Sequence, residues 1–256
     1  MAKRRYSRKR SKKVQLPKWL SLVIGLAILI GGGFQTYQST YSTNRVITQN
    51  QSKQKLVPKN VGSVADNKLA QMDYAGTAII QVNGGKPDFS KSDLSTSHSE
   101  WATYTNLDAL GRVGQANAML GVSLLPKEPR ERLYTRPTGW SSVRLNNQNV
   151  YNRSHLIAFS LAGEQDNPKN LMTGTRQLND PGMAYYESRV LRYIRETSHH
   201  VRYQVTPIFR SNELVARGVH MQAASVEDNA VSFNIYIFNV EPGTSINYQT
   251  GYVTIN

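Results

Sequence analysis

The chain has 256 residues, 39% of them apolar, with 18 glycines, no cysteine and a formal charge of +14. That length and apolar share suit one folded domain with appendages and exclude a wholly disordered chain, while the lack of cysteine excludes disulfides, thiol nucleophiles and Cys-ligated zinc. Residues 1–18 hold nine Lys/Arg and no acid, leaving 22 basic against 17 acidic residues, so the body is mildly basic and compatible with nucleic acid.

In chain order, the basic tail 1–18 leads into an apolar run from Trp19 to Phe34. Uncharged residues continue to Asn44, which predicts a transmembrane signal-anchor over 19–37. Trp19 and Tyr37 sit near its two interfaces, and the tail is held in the cytoplasm by its cations. The alternative is a cleaved signal peptide and a secreted protein, although no Ala-x-Ala site follows the run. Residues 38–68 read as a polar linker, and 69–256 as the folded domain, placed outside the cell.

Within that domain, Thr77-Ala-Ile-Ile-Gln-Val82 predicts a strand stopped by Asn83-Gly-Gly. Leu110, Val113, Ala116 and Leu120 have helical spacing, which predicts a helix over 107–120. A Pro-rich stretch, Leu125 to Pro137, carries Lys127, Arg130, Arg132 and Arg136. Ser141–Leu145 and Gln148–Tyr151 predict two strands around an Asn146-Asn147 turn. A helix is expected from Gly182 to about Thr197, opened by Pro181. Val201–Thr206 and Val231–Ile237 alternate as half-buried antiparallel strands do. Strands and helices without regular βαβ alternation make the fold class α+β.

Of five histidines, His155 stands apart. In Tyr151-Asn-Arg-Ser-His-Leu-Ile157 the guanidinium of Arg153 lies two residues before the imidazole, a phosphate clamp beside a proton acceptor. Phosphodiester hydrolysis needs that pairing. Downstream, Asn167-Pro-Lys-Asn170 to Asn179-Asp-Pro-Gly is dense in amides, hydroxyls and cations, and Glu187 follows on the predicted helix. From composition alone this stretch reads as a polar loop, but an Asn oxygen with substrate phosphate and water would also suffice for magnesium. Arg189 and Arg192 are spaced to line a groove or simply to solvate a helix face. Tyr134, Tyr185 and Tyr186 can stack on bases or pack in a core. His199-His200 suits a helix C-terminus, with a second metal site as the less favoured reading.

Asn-Arg-Ser-His at 152–155, Asn170 in Asn-Pro-Lys-Asn-Leu, Leu178-Asn179, and Tyr185-Tyr-Glu187 together resemble the DNA/RNA non-specific endonuclease family. Pro137-Thr-Gly-Trp140 and Val201-Arg-Tyr-Gln-Val-Thr-Pro-Ile208 extend the resemblance, which covers roughly residues 69–254. It is similar in particular to the membrane-bound DNA-entry nucleases and streptodornase-like DNases. The resemblance implies a ββα-metal nuclease core on a central antiparallel sheet, preceded here by the N-terminal transmembrane helix. It implies His155 as general base and Asn179 as ligand of one Mg²⁺, with Mn²⁺ able to substitute. Arg153 would contact phosphate, Asn170 would hold the loop between base and metal, and Glu187 would hydrogen-bond metal-bound water. Arg176, Arg189 and Arg192 would join Arg153 in binding the substrate, double- or single-stranded DNA and also RNA, with 5′-phosphate products. Asn152 and Ser154 depart from the family's Asp-Arg-Gly-His signature. One anion fewer near His155 would lower its pKa, and Ser154 requires an ordinary backbone there. The competing functions are a membrane-anchored DNA-binding receptor without turnover, and a His-metal hydrolase of small phosphate esters, which would want more carboxylates.

Overall fold

The computed structural model describes residues 59–60 and 65–256, which belong to a compact unit running from Leu56 to Asn256. The predicted tail, the spanning segment 19–37 and most of the linker lie outside the described residues. Among the described residues no helix is long and apolar enough to cross a membrane.

The first elements in chain order are β1 (Lys59–Asn60), α1 (Asp66–Leu69), β2 (Ile79–Gln81), β3 (Trp101–Tyr104) and β4 (Ala116–Leu120). They are followed by β5 (Arg144–Leu145), β6 (Gln148–Asn149), β7 (Tyr151–His155), α2 (Phe159–Ala162), β8 (Leu171–Thr175) and α3 (Ala184–Thr197). The chain closes with β9 (Val201–Ile208), β10 (Gly218–Ser225), β11 (Ser232–Phe238), β12 (Thr244–Asn247) and β13 (Tyr252–Ile255). Seven strands form one sheet in the order β1-β2-β11-β10-β9-β4-β3. It is antiparallel throughout except where β1 runs parallel to β2.

The alternation in the sequence builds two unlike faces. Val201, Tyr203 and Val205 of β9, with Val219, Met221 and Ala223 of β10 and Phe233, Ile235 and Ile237 of β11, enter the main core. Tyr186, Val190, Tyr193 and Ile194 of α3 share that core with Leu156, Leu161, Met172 and Leu178. Spacing of four, three and one residues puts those four α3 side chains on one stripe.

The opposite face carries a polar layer. Asn117, Gln204, Gln222 and Asn234 are Cα partners across β4, β9, β10 and β11. Gln204 Nε2 donates to Asn117 Oδ1 at 2.9 Å, and Gln222 Nε2 to Gln204 Oε1 at 3.1 Å. Arg202 stacks between Phe89 and Trp101, 4.8 and 5.2 Å from the ring centroids, and donates to Asn117 Oδ1 at 2.7 Å. Beside the layer, His220 Nδ1 meets Asp66 Oδ1 at 2.7 Å and Nε2 meets Asn234 Oδ1 at 2.6 Å. The Asn234 amide nitrogen donates to the Lys86 carbonyl, so its oxygen faces His220. Both imidazole nitrogens therefore confront acceptors and both donate, which is the imidazolium. Burial opposes that charge, but the bonds from Asp66 and Asn234 outweigh it and hold the His220 pKa above its ordinary value. The contact pins α1 to the sheet, where Leu69 is wholly buried against Ile80, Val82 and Tyr236. Burial of one leucine stabilises by about 2 kcal/mol.

Four sequence expectations are corrected. The helix predicted over 107–120 does not form. Leu107 and Leu110 are exposed, the Asp108 carboxylate accepts from the backbone of Leu110 and Arg112, and Gly111 turns at φ 75°. From Ala116 the chain becomes β4, because β3 and β9 supply partners on both sides. The strand pair around Asn146-Asn147 shortens to β5 and β6, since both asparagines adopt positive φ (49° and 62°) as a tight hairpin demands. The stretch read as a polar loop contains β8, whose five residues are all buried. The predicted helix 182–197 begins at Ala184, after an irregular turn over Leu178–Met183 in which Asp180 leaves helical geometry.

Candidate active site

Strands β7 and β8 pair antiparallel, Tyr151 opposite Thr175 and His155 opposite Leu171, and α3 follows to complete a ββα unit. Ser154 lies in extended strand and is buried, as its ordinary backbone requires. His155 ends β7 with 6% of its surface exposed. The chain beyond it is pinned by Asn170, itself wholly buried. Asn170 Oδ1 accepts from Ile157 N at 2.9 Å, and its Nδ2 donates to Ile157 O at 3.0 Å.

His155 Nε2 lies 2.8 Å from the Gln165 carbonyl. A carbonyl only accepts, so Nε2 carries the proton and Nδ1 keeps its lone pair. Burial pushes the His155 pKa below its ordinary value; Arg130 pushes the same way, against the pull of the Gln165 and Glu164 carbonyls and of Asp166. At neutral pH the imidazole is an uncharged base.

The sequence reading left Gln165 unassigned and read Arg130 only as one of three arginines that track a nucleic-acid backbone or keep a loop soluble. Gln165 holds the imidazole through its backbone, and through its side chain it holds the basic loop on both sides of Arg130. Its Oε1 accepts from Glu131 N at 2.9 Å, and its Nε2 donates to Pro129 O at 3.0 Å. Asp166 extends the staple, accepting from Tyr134 N at 3.0 Å and Thr135 N at 3.1 Å. Burial would raise the Asp166 carboxyl, but those backbone bonds hold it below the usual range. No local signal marks the staple, because it joins segments about thirty residues apart. The Pro-rich basic run was its only trace.

Arg153 projects on the side of β7 that His155 occupies. Its Nε donates to the Thr135 carbonyl, and its guanidinium lies 4.5 Å from the Trp140 ring centroid. Glu187 sits in the first turn of α3, where burial pushes its carboxyl up to about 8; Arg130 opposes the shift and Asp180 adds to it. The charge of Arg130 thus lowers the pKa of both His155 and Glu187. Asn179 lies half-buried in the turn before α3, its carbonyl accepting from Ala184 N. Among the described residues nothing hydrogen-bonds its side-chain amide.

That amide oxygen, with the carboxyls of Glu187 and Asp180 nearby in sequence, is a sparse all-oxygen donor set. It fits a hard cation that retains most of its water, and does not fit a soft one. No cluster of three or more His, Asp or Glu arranged for a metal occurs among the described residues.

The remaining predicted residues fall elsewhere. Arg176 pairs with Glu241 at 2.6 Å and donates to the Asn149 carbonyl at 3.2 Å, anchoring the end of β8. Arg189 lies 6.0 Å from the Tyr185 ring, two residues beyond Glu187 and so on the opposite side of α3; Arg192 is exposed. His199 meets Tyr193 and Asp228, and His200 meets Glu227 at 2.6 Å, so both are engaged with neighbours at the helix end.

An uncharged imidazole with one nitrogen anchored, under the influence of a nearby cation and followed by oxygen donors before and on the next helix, is chemistry suited to hydrolysis of phosphate esters. A model of the DNA/RNA non-specific endonuclease family matches residues 92–227, and the chain belongs to that family. NucA from Streptococcus agalactiae, solved with magnesium bound, is 28% identical over 72% of this chain and 90% of its own, at a TM-score of 0.64. Sda1 nuclease with a bound zinc ion is 28% identical, covering 61% of this chain and 82% of its own, at a TM-score of 0.54. An extracellular endonuclease, 21% identical over 72% of this chain and all of its own, shares the fold at a TM-score of 0.52. The protein is therefore a DNA/RNA non-specific endonuclease, and the nucleic acid it cuts includes DNA.

Proposed function

We propose that this endonuclease hydrolyses backbone phosphodiesters of DNA and RNA, single- and double-stranded, with His155 as general base. The observation that carries the reading is the 2.8 Å contact of His155 Nε2 with the Gln165 carbonyl, which leaves Nδ1 as the proton acceptor. Nδ1 takes a proton from the attacking water as its oxygen bonds to phosphorus. The P–O3′ bond breaks, leaving a 5′-phosphate, and the departing O3′ takes a proton from solvent water to become a 3′-hydroxyl. A divalent cation, Mg²⁺ with Mn²⁺ able to substitute, would be held by Asn179 with Glu187 beside it and would supply positive charge at the phosphate and the leaving oxygen. Arg130, whose charge acts on both His155 and Glu187, would contact the same phosphate, and Arg153 would join it from two residues before His155 on β7. Contacts of this kind are made to phosphate and sugar, so cutting is indifferent to sequence. Asn170 positions the base through Ile157 and touches no substrate. The N-terminal sequence supports placing the domain outside the cell on a membrane anchor, with the cations of residues 1–18 inside.

The test is plasmid nicking by the full-length chain in mild detergent, with Mg²⁺, with chelator, and with His155→Ala. Metal-dependent cutting that the substitution lowers by roughly 10²-fold or more is expected. A protein that binds plasmid but cuts under no divalent ion would instead be a receptor.

A further inference from the structure

On the far side of α3 from Glu187 lies a cleft that the catalytic constellation does not use. It encloses about 490 Å³ between the start of α3 and the neighbouring strands β2 and β11, with Gly84 and Gly85 also lining it. Ligand sites fall in the range of about 300–1,000 Å³. Its α3 wall is an aromatic row: Tyr185 meets Tyr186 edge-on at 5.0 Å, and Tyr186 meets Phe233 at 4.9 Å. Tyr186 and Phe233 are buried and fix the row, while Tyr185 ends it with 54% of its surface exposed. Arg189, one turn further along, lines the same cleft, and no carboxylate lines it. Gly85 turns at φ 78°, a conformation that favours glycine, so this part of the lining is backbone.

An exposed ring beside a guanidinium, in a slot lined by no carboxylate, matches one chemistry: an aromatic base joined to a phosphate. We propose that this cleft is a secondary docking site for an unpaired nucleotide, part of a single strand whose scissile phosphate lies at His155. The inference rests on the nuclease reading above. Tyr185 and Arg189 lie two residues before and after Glu187, so each is rotated about 200° from it around the helix. A strand bound at both places crosses the start of α3. Paired bases in a duplex present no face to Tyr185, so the cleft favours single strands.

The experiment measures fluorescence anisotropy of a short labelled oligodeoxythymidine with the full-length chain in chelator, where no cutting occurs. Parent, Tyr185→Ala, Tyr185→Phe and Arg189→Ala are compared, and a duplex of equal length serves as control. Loss of base stacking is expected to weaken single-strand binding roughly tenfold in Tyr185→Ala. Arg189→Ala should show a comparable loss, Tyr185→Phe should bind like the parent, and duplex affinity should be unchanged. In parallel, 5-iododeoxyuridine in the oligonucleotide should photocrosslink to Tyr185. Equal single-strand affinity in all four proteins would overturn the proposal and leave the cleft to a protein partner. Equal losses on single strand and duplex would overturn it too, by reducing Arg189 to general charge. Failure of the parent to cut DNA refutes the nuclease reading alone, because these binding constants are read without turnover.

Discussion

Gly174 of β8 lies where a side chain would collide with β7, and that contact tests how closely the two strands must approach to place His155. A Cβ on Gly174 would meet Ser154 Oγ at 2.3 Å, Ser154 Cβ at 2.8 Å and a Leu178 methyl at 3.1 Å. Rotating the serine can move Oγ away but not Cβ, so the strands must separate. Overpacking of this kind costs about 1–3 kcal/mol, and two contacts under 3 Å place Gly174→Ala in the upper half, about 2–3 kcal/mol. Ser154→Gly removes both collisions. Alone it should be nearly neutral: glycine in a strand costs about 0.5–1 kcal/mol, offset by deleting a buried hydroxyl without a hydrogen-bond partner. The double variant should therefore recover about 1.5–2.5 kcal/mol, a coupling read from urea unfolding of the four proteins at constant slope. Nicking activity should follow, because Ser154 precedes His155 and misplacement of a reacting group by about 1 Å can cost roughly 10²-fold. Gly174→Ala and the double variant equally destabilised, within about 0.3 kcal/mol, would refute the reasoning.

Two further outcomes concern protonation. Because burial and Arg130 lower the His155 pKa, kcat/KM for nicking should hold level as pH falls to the ordinary histidine value of about 6.5 and decline only below it; a decline beginning above pH 7 would count against an uncharged His155 base. His220 has the opposite sign: its folded pKa is raised, so its stabilisation is complete below about pH 6.5 and is lost as pH rises through the folded value. The thermal midpoint should drop over that window and the drop should vanish in His220→Gln; an unchanged pH slope in that variant would contradict the imidazolium.

Strands β2, β9 and β11 were legible as apolar or alternating runs, whereas β3 and β10 were not read from the sequence and β11 proves buried along nearly its whole length. His155 was legible because Arg153 and its neighbours form a recognisable run. The helix expected over 107–120 failed for a physical reason. Leu110, Val113, Ala116 and Leu120 do repeat at helical intervals, but Gly111 and Gly114 interrupt the interval and β9 offers Ala116–Leu120 a ladder. Periodicity reports which residues avoid water, and a strand edge elsewhere in the chain decides how they do so. Arg130 stayed hidden for a related reason: its place beside His155 is set by the side chains of Gln165 and Asp166, and no spacing within either segment encodes that. The opposite outcome for Arg189, on the far side of α3 from Glu187, follows from a rotation that a linear motif does not display.

The row of Asn117, Gln204, Gln222 and Asn234 acts on assembly as a vernier. Each of four neighbouring strands contributes one amide at the same height, so misalignment can be detected chemically. A strand displaced by one residue would turn its amide into the oily layer beneath α3 and expose a core residue in its stead. A displacement of two would keep the correct side but strand the amides on both flanks without partners. Off-register sheets are thus penalised at several strands together, and the native alignment is singled out in a chain that has no cysteine with which to fasten it.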